Sequence, residues 1–398
     1  MQRVQNGALA PVRRTLASNR IISRRAALAG ILLGAGGLAA RAHASAIVEA
    51  PAPYSMVASL GKLAAARGIF FGSAFDVEAV DTPAYGRLLR HHARFLTTSN
   101  SLKFQSVRWA GPQQAADFRD ADRIMAFAGA TGAPVCGHTL IWNEWMPKWF
   151  AAQSASRRAY WLDRHIDEVC GRYAGRMYSW DVVNEPFWPE HGNPDGMRGG
   201  PWYAAMGPGY IARAFKRAGA ADPKAKLALN ESGAEWAGAR AQIYRKGILK
   251  TIRQIRDAGG RIDIVGLQCH VTRLRKFDPN VFEDFVGRLG EERIEVFVTE
   301  LDVNDSDLPD DIAARDRAVA ARYRSIVQTA LKCPNVKGIV TWDLADSFSW
   351  YRTAPGASRR LARPLPFDAS FNPKPAYTAL VQAFSAPPTA DKWFWERR

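Results

Sequence analysis

The chain has 398 residues, 47% apolar and 23% charged, which excludes a disordered chain, a fibre and a small disulfide-stapled module. Lys and Arg exceed Asp and Glu by 16, but no Lys/Arg block joins a nucleic-acid-binding motif, so a nucleic-acid role is set aside. The excess suits a solubilising surface or an affinity for acidic polysaccharide, and the 13 Trp suit a cleft for flat ligands such as sugars.

Residues 1–46 have the layout of an export signal. They carry seven Arg, no Lys and no acid. Arg13, Arg14 and Arg20 precede Ser23-Arg24-Arg25, and an apolar stretch follows from Ala26 to Ala40. Ala42-His43-Ala44 or Ala44-Ser45-Ala46 offers a small-residue cleavage site. The paired arginines before a modestly apolar run resemble a twin-arginine signal. The apolar stretch is short for a membrane span, and no second run of spanning length occurs. The expectation is a mature protein that is periplasmic or secreted, with no stable membrane insertion, and monomeric. Cys136, Cys170, Cys269 and Cys333 are dispersed and lack metal-ligand spacing, so neither a metal nor a structural disulfide is expected.

From about residue 54 to 384 short apolar runs alternate with longer segments of helical period. The runs are Ile69–Phe75, Phe95–Asn100, Pro134–Leu140, Tyr178–Glu185, Leu227–Glu231, Ile264–His270, Glu295–Val303 and Gly338–Leu344. Between them, Pro112–Gly129, Ser156–Tyr173, Gly209–Ala220, Ala239–Ala258 and Asp310–Lys332 read as helices. Eight strand–helix units with no linker predict an α/β fold of one (β/α)8 TIM barrel, and no G-x-G-x-x-G follows the first run to favour an open doubly wound sheet. Residues 385–398 form a tail with Trp393-Phe394-Trp395, whose base expectation is poor order.

Polar residues fall at the ends of seven runs: Asn100, His138, Asn184-Glu185, Asn230-Glu231, Gln268 with His270, Glu300 with Asp302, and Asp343. In such a barrel these ends converge on one mouth. Glu185 and Glu300 close runs four and seven and so face each other across it. Opposed carboxylates in an aromatic-lined cleft are what glycoside hydrolysis needs, one protonated and one ionised. Glu300 and Asp302 point to one side of their strand, and His270 on the adjacent run reaches one or both. A donor to Glu300 favours its anion and fits a nucleophile. Pro186, Phe187 and Trp188 beside Glu185 suggest an apolar surround that suits a general acid. Trp142 is a candidate site residue, whereas Trp145 and Trp149, four apart, fit either the site or one inward helix face.

Several segments in order resemble glycoside hydrolase family 10, the endo-1,4-β-xylanases. They are Gly137-His138-Thr139-Leu140-Ile141-Trp142, Trp180-Asp181-Val182-Val183-Asn184-Glu185, Thr299-Glu300-Leu301-Asp302, Thr341-Trp342 leading to Ser349-Trp350, and Asp368-Ala369-Ser370 with Lys374-Pro375-Ala376-Tyr377. The resemblance implies retaining endo-hydrolysis of β-1,4-linked xylan with no cofactor, the carboxyls standing roughly 5–5.5 Å apart. It implies Glu185 as acid/base and Glu300 as nucleophile. Asn184 would hold the 2-hydroxyl of the cleaved sugar, and His270 and Asp302 would orient Glu300. Asn100, Lys103, His138 and Gln268 would bind glycone hydroxyls, with Trp142, Trp342 and Trp350 packed around the sugars. Five positions depart from the family: Ser99 stands where Glu is usual, Asn143 where His is, Glu231-Ser232 where Asp and Tyr are, and Asp343 where Gly is common. These fall on or near expected glycone contacts, so β-1,4-glucan or xylo-oligosaccharides are alternative substrates. A non-catalytic polysaccharide-binding protein on the same scaffold is a further alternative, against which both Glu argue.

Overall fold

The computed structural model describes residues 57–353 and 360–387. The export segment and the aromatic tail expected from the sequence lie outside the described residues, apart from residues 385–387.

Eight parallel strands close into a barrel. They are β1 Phe70–Phe75, β2 Leu96–Thr98, β3 Val135–Gly137, β4 Ser179–Asn184, β5 Lys226–Glu231, β6 Ile264–Leu267, β7 Glu295–Val303 and β8 Val336–Thr341. Each pairs with the next in chain order, and β8 pairs with β1 through Phe70↔Gly338 to Ser73↔Thr341, so no main strand is left as an edge. Every strand lies within one of the eight apolar runs, apart from a few residues at the starts of β5 and β8. The match follows from burial on both faces, inside the barrel and under the helices. Two runs break before they end. After β3 the chain re-pairs with β4 at Ile141↔Val183 and Trp142↔Asn184, and after β6 it re-pairs with β7 at His270↔Asp302 and Val271↔Val303.

The floor of the barrel is an apolar plug of Phe95, Cys136, Ala228, Ile264, Phe297 and Val340, with Phe70 and Tyr178 against it. The Phe95 ring stands 5.3–5.4 Å from the rings of Phe70, Tyr178 and Phe297. Each such aromatic pair contributes about 1 kcal/mol beyond area burial. The plug fills the N-terminal end of the barrel and leaves its polar layer at the other end.

Helices surround the strands: α1 Leu60–Ala65, α2 Val77–Val80, α3 Pro83–His92, α4 Phe104–Val107, α5 Arg119–Thr131, α6 Ala155–Tyr173, α7 Pro201–Met206, α8 Gly209–Ala221, α9 Ala239–Asp257, α10 Pro279–Glu291, α11 Ile312–Ala330 and α12 Pro375–Ser385. Four of the five predicted segments match within two residues at each end. The exception is Pro112–Gly129, where the helix begins only at Arg119. The Asp117 carboxylate takes the Arg119 N–H at 3.1 Å, its guanidinium and the Trp109 indole N–H, which holds the preceding residues in turns. Trp145 and Trp149 share no helix face. Trp145 has φ of 52° and is exposed, while Trp149 sits in a 3-10 turn and donates to the Arg108 carbonyl at 2.8 Å. All four cysteines are buried free thiols.

Gly137 is where β3 meets β4 most tightly. A Cβ there would stand 2.3 Å from the Trp180 ring, which is fully buried and donates to Asp222 at 3.0 Å. Gly137→Ala is expected to cost about 1–3 kcal/mol, read as a lower urea midpoint with unchanged slope. An unchanged midpoint would show that this contact relaxes freely.

Candidate active site

The mouth is built where β4, β5, β6 and β7 deliver their last polar residues. Glu185 follows β4 in left-handed backbone, φ 49°, and its N–H donates to the Asn230 carbonyl at 2.8 Å. Cys269 is likewise left-handed at φ 57° between Gln268 and His270, and its buried thiol faces away from solvent. Each such non-glycine residue costs of order 1 kcal/mol or more, and here the turn swings a side chain into the mouth.

Amide side chains connect the two carboxylates. Gln268 Nε2 donates to Glu185 Oε1 at 3.1 Å and to Asn184 Oδ1 at 3.2 Å. Asn230 Nδ2 donates to the same Asn184 oxygen at 3.0 Å and to Glu300 Oε1 at 2.6 Å. Thr299 Oγ1 fixes Asn230 by donating to its Oδ1 at 2.7 Å. With Asn184 Oδ1 taken twice, its Nδ2 is the polar group left for a ligand.

Glu300 is 5% exposed, and its second oxygen meets His270 Nε2 at 3.0 Å. His270 Nδ1 meets Asp302 Oδ1 at 2.9 Å. Asp302 is fully buried and also accepts from Trp350 Nε1 at 2.8 Å and the Tyr351 hydroxyl at 3.0 Å. Burial alone would push the His270 imidazole down, but Asp302 and Glu300 outweigh it and raise it to about 10. His270 is therefore an imidazolium at neutral pH and donates from both nitrogens. Burial likewise opposes the Glu300 anion, yet His270, His138 and Asn230 hold its carboxyl below the usual range.

Glu185 has a different setting from the apolar one expected. Its side chain is 19% exposed, and Oε2 accepts from Trp142 Nε1 at 3.2 Å and from Arg198 at 3.0 Å. Phe187 is turned away beneath Gly247, and Trp188 lies 4.7 Å from the Arg198 guanidinium rather than against the carboxyl. The expectation failed because the turn after β4 directs these aromatics outward. Arg198 also donates to the Glu185 carbonyl at 2.8 Å and to Glu144 at 2.7 Å. Glu231, fully buried, accepts the Phe187 N–H at 3.0 Å and the Ser232 N–H at 2.7 Å, bracing the same turn. Burial and nearby Glu185 push the Glu231 carboxyl up to about 8 against Arg198.

The other expected residues fall at the same mouth. Lys103 Nζ donates to Asn100 Oδ1 at 2.9 Å and lies 5.0 Å from the Trp142 ring and 4.9 Å from that of Trp145. Burial pushes its ammonium down, opposed by Glu300, Glu185 and Asp76. His138 Nδ1 meets Asp181 Oδ2 at 2.8 Å, and its ring lies 5.2 Å from Trp342. Trp350 is 40% exposed and stacks on Tyr351 at 4.3 Å. Sequence reasoning missed Arg198, Tyr351 and the bridging role of Asn230. Asn230 ended an apolar run and was visible; Arg198 and Tyr351 lie in loops with no spacing signal.

The departures sort differently from expectation. Asn143 holds α7 rather than facing a sugar: its Nδ2 donates to the Tyr210 hydroxyl at 3.2 Å and its Oδ1 accepts the Trp202 N–H at 3.1 Å. Asp343, at φ 71°, occupies backbone that glycine favours and accepts from the buried Tyr85 hydroxyl at 3.3 Å. Glu231 is taken up by backbone, as described. Among the described residues no cluster of three His, Cys, Asp or Glu could hold a metal ion.

The family model described as Glycosyl hydrolase family 10 matches residues 59–383. Endo-1,4-beta-xylanase C of Phanerodontia chrysosporium is 31% identical, across 83% of this chain and 80% of that protein. Beta-1,4-xylanase of Dictyoglomus thermophilum is 34% identical, across 75% and 84%. The solved structure of Penicillium canescens endo-1,4-beta-xylanase XylE superposes with a TM-score of 0.75 at 28% identity, covering 84% of this chain and all of that one. With its eight-stranded barrel and paired carboxylates, this chain belongs to glycosyl hydrolase family 10.

Proposed function

We propose that this chain is a retaining endo-1,4-β-xylanase in which Glu300 is the nucleophile and Glu185 the acid/base. The observation that carries the reading is one mouth holding two differently treated carboxylates. Glu300 is buried and clamped by an imidazolium, while the more exposed Glu185 is joined to it through Gln268, Asn184 and Asn230.

In the first step a Glu300 oxygen attacks the anomeric carbon. The glycosidic C–O bond breaks, and the Glu185 proton goes to the departing oxygen. The His270 charge keeps Glu300 ionised for attack. Esterification then removes a negative charge from the site and leaves Arg198 beside Glu185, which favours its service as a base. In the second step Glu185 takes a proton from water, the water oxygen attacks the anomeric carbon, and Glu300 departs as carboxylate. Asn184 Nδ2 donates to the 2-hydroxyl. Asn100, Lys103, His138 and Gln268 bind the glycone, and Trp142, Trp342 and Trp350 pack on sugar rings. The export reading rests on Ser23-Arg24-Arg25 and the apolar stretch after it.

Purified protein is expected to release reducing sugar from xylan but not from carboxymethylcellulose, and NMR is expected to show the β-anomer first. Glu300→Ala should lower kcat by a factor of order 10^4 or more on any xylan. Glu185→Ala should lose roughly 10^2–10^4-fold on xylan, but far less on an aryl xyloside whose leaving group needs no proton. Equal losses on the two substrates would remove Glu185 from the acid role.

Asp302→Asn takes away the larger of the two charges that hold His270 protonated. The imidazolium then deprotonates at lower pH, so the NMR titration of the His270 ring is expected to move down by about one unit or more. An unmoved titration would show that Asp302 does not hold the imidazolium. Replacing Arg24-Arg25 by Lys-Lys is expected to leave unprocessed precursor in the cytoplasm on cell fractionation, and normal processing would exclude the twin-arginine route.

A further inference from the structure

We infer that the lip formed by the loops after β5 and β6 is a recognition site for the carboxylate of uronic-acid-substituted xylan, with Arg275 as the residue that contacts it. The inference rests on the xylanase reading above and adds to it a preference for acidic chains.

Arg275 follows β6 by eight residues and reaches back over the mouth. Its Nη1 donates to Ser232 Oγ at 2.9 Å, and its guanidinium lies 6.0 Å from the Trp236 ring. Its charge is felt by the Tyr351 hydroxyl, which is itself bonded to Asp302, so it stands over the same mouth as the paired carboxylates. Ser232 directly follows β5, and its hydroxyl takes the Arg275 hydrogen bond. Arg273 and Lys276 flank Arg275 on one loop, with Leu274 between them 85% exposed. Among the described residues none of these three cations has a carboxylate within ion-pair distance. Glu235, the acid nearest Arg275 in effect, is buried, and its two oxygens are occupied by the Gly233 and Cys269 N–H groups. Arg245 adds a fourth cation beneath the loop, donating to the Ala234 and Trp236 carbonyls.

The guanidinium fork, with one arm on Ser232, has further N–H groups for a planar carboxylate.

The test compares glucuronoxylan with the same polymer after reduction of its carboxyls to alcohols. Wild type at low ionic strength is expected to show kcat/KM about threefold higher on the acidic polymer, as befits one partly exposed ion pair, and to lose the difference in salt. Arg275→Ala should bring the ratio to near one, and Arg275→Lys should keep part of it. A wild-type ratio at or below one, or a ratio that Arg275→Ala leaves unchanged, overturns the inference. Retardation in affinity gels containing each polymer reads the same preference without turnover. Failure to hydrolyse either polymer would instead strike the xylanase reading.

Discussion

The site depends on one amide oxygen. Asn184 Oδ1 accepts from Gln268 and from Asn230, and each of those amides holds one of the two carboxylates. The two acids lie on strands three apart, β4 and β7, and the strands between them supply the connection. A barrel mouth is wide enough to bring a residue from each of several strands to one point, but the backbone alone does not hold side chains there to within a fraction of an ångström. Buried amides whose partners are all determined do so, because an unmade hydrogen bond in that setting costs about 1–3 kcal/mol.

Around this connection the two carboxylates are kept chemically distinct. Glu300 sits deep, with a cation whose charge is secured by a second buried acid. Asp302 is in turn held by the Trp350 and Tyr351 side chains, so the loop after β8 shares in controlling the charge on β7. Glu185 sits nearer solvent and meets donors from Trp142 and Arg198. The aromatic plug closes the opposite end of the barrel.

Much of this was legible in the sequence. Eight apolar runs match eight strands because both faces of a barrel strand are buried, leaving few positions free to be polar. The polar residues that remain, Asn100, Asn184, Glu185, Gln268, His270, Glu300 and Asp302 among them, fall where strands end at the mouth. Arg198 was not legible: it comes from a loop thirteen residues after Glu185, and only tertiary packing brings it back. The setting of Glu185 was misread for the same reason. Adjacency in sequence to Phe187 and Trp188 suggested contact, but a left-handed residue reverses the direction of the following side chains. The departures at Asn143 and Asp343 fall on or near expected sugar contacts in the sequence, and in the fold their side chains hydrogen-bond to neighbouring protein groups.

The left-handed backbone at Glu185 sets conformational ease against chemistry at one position. Glycine is the residue that geometry favours, and nearly any replacement that relaxed the turn would discard the carboxyl. With Glu185 in the acid/base role proposed above, drift toward a more comfortable main chain would run directly against turnover.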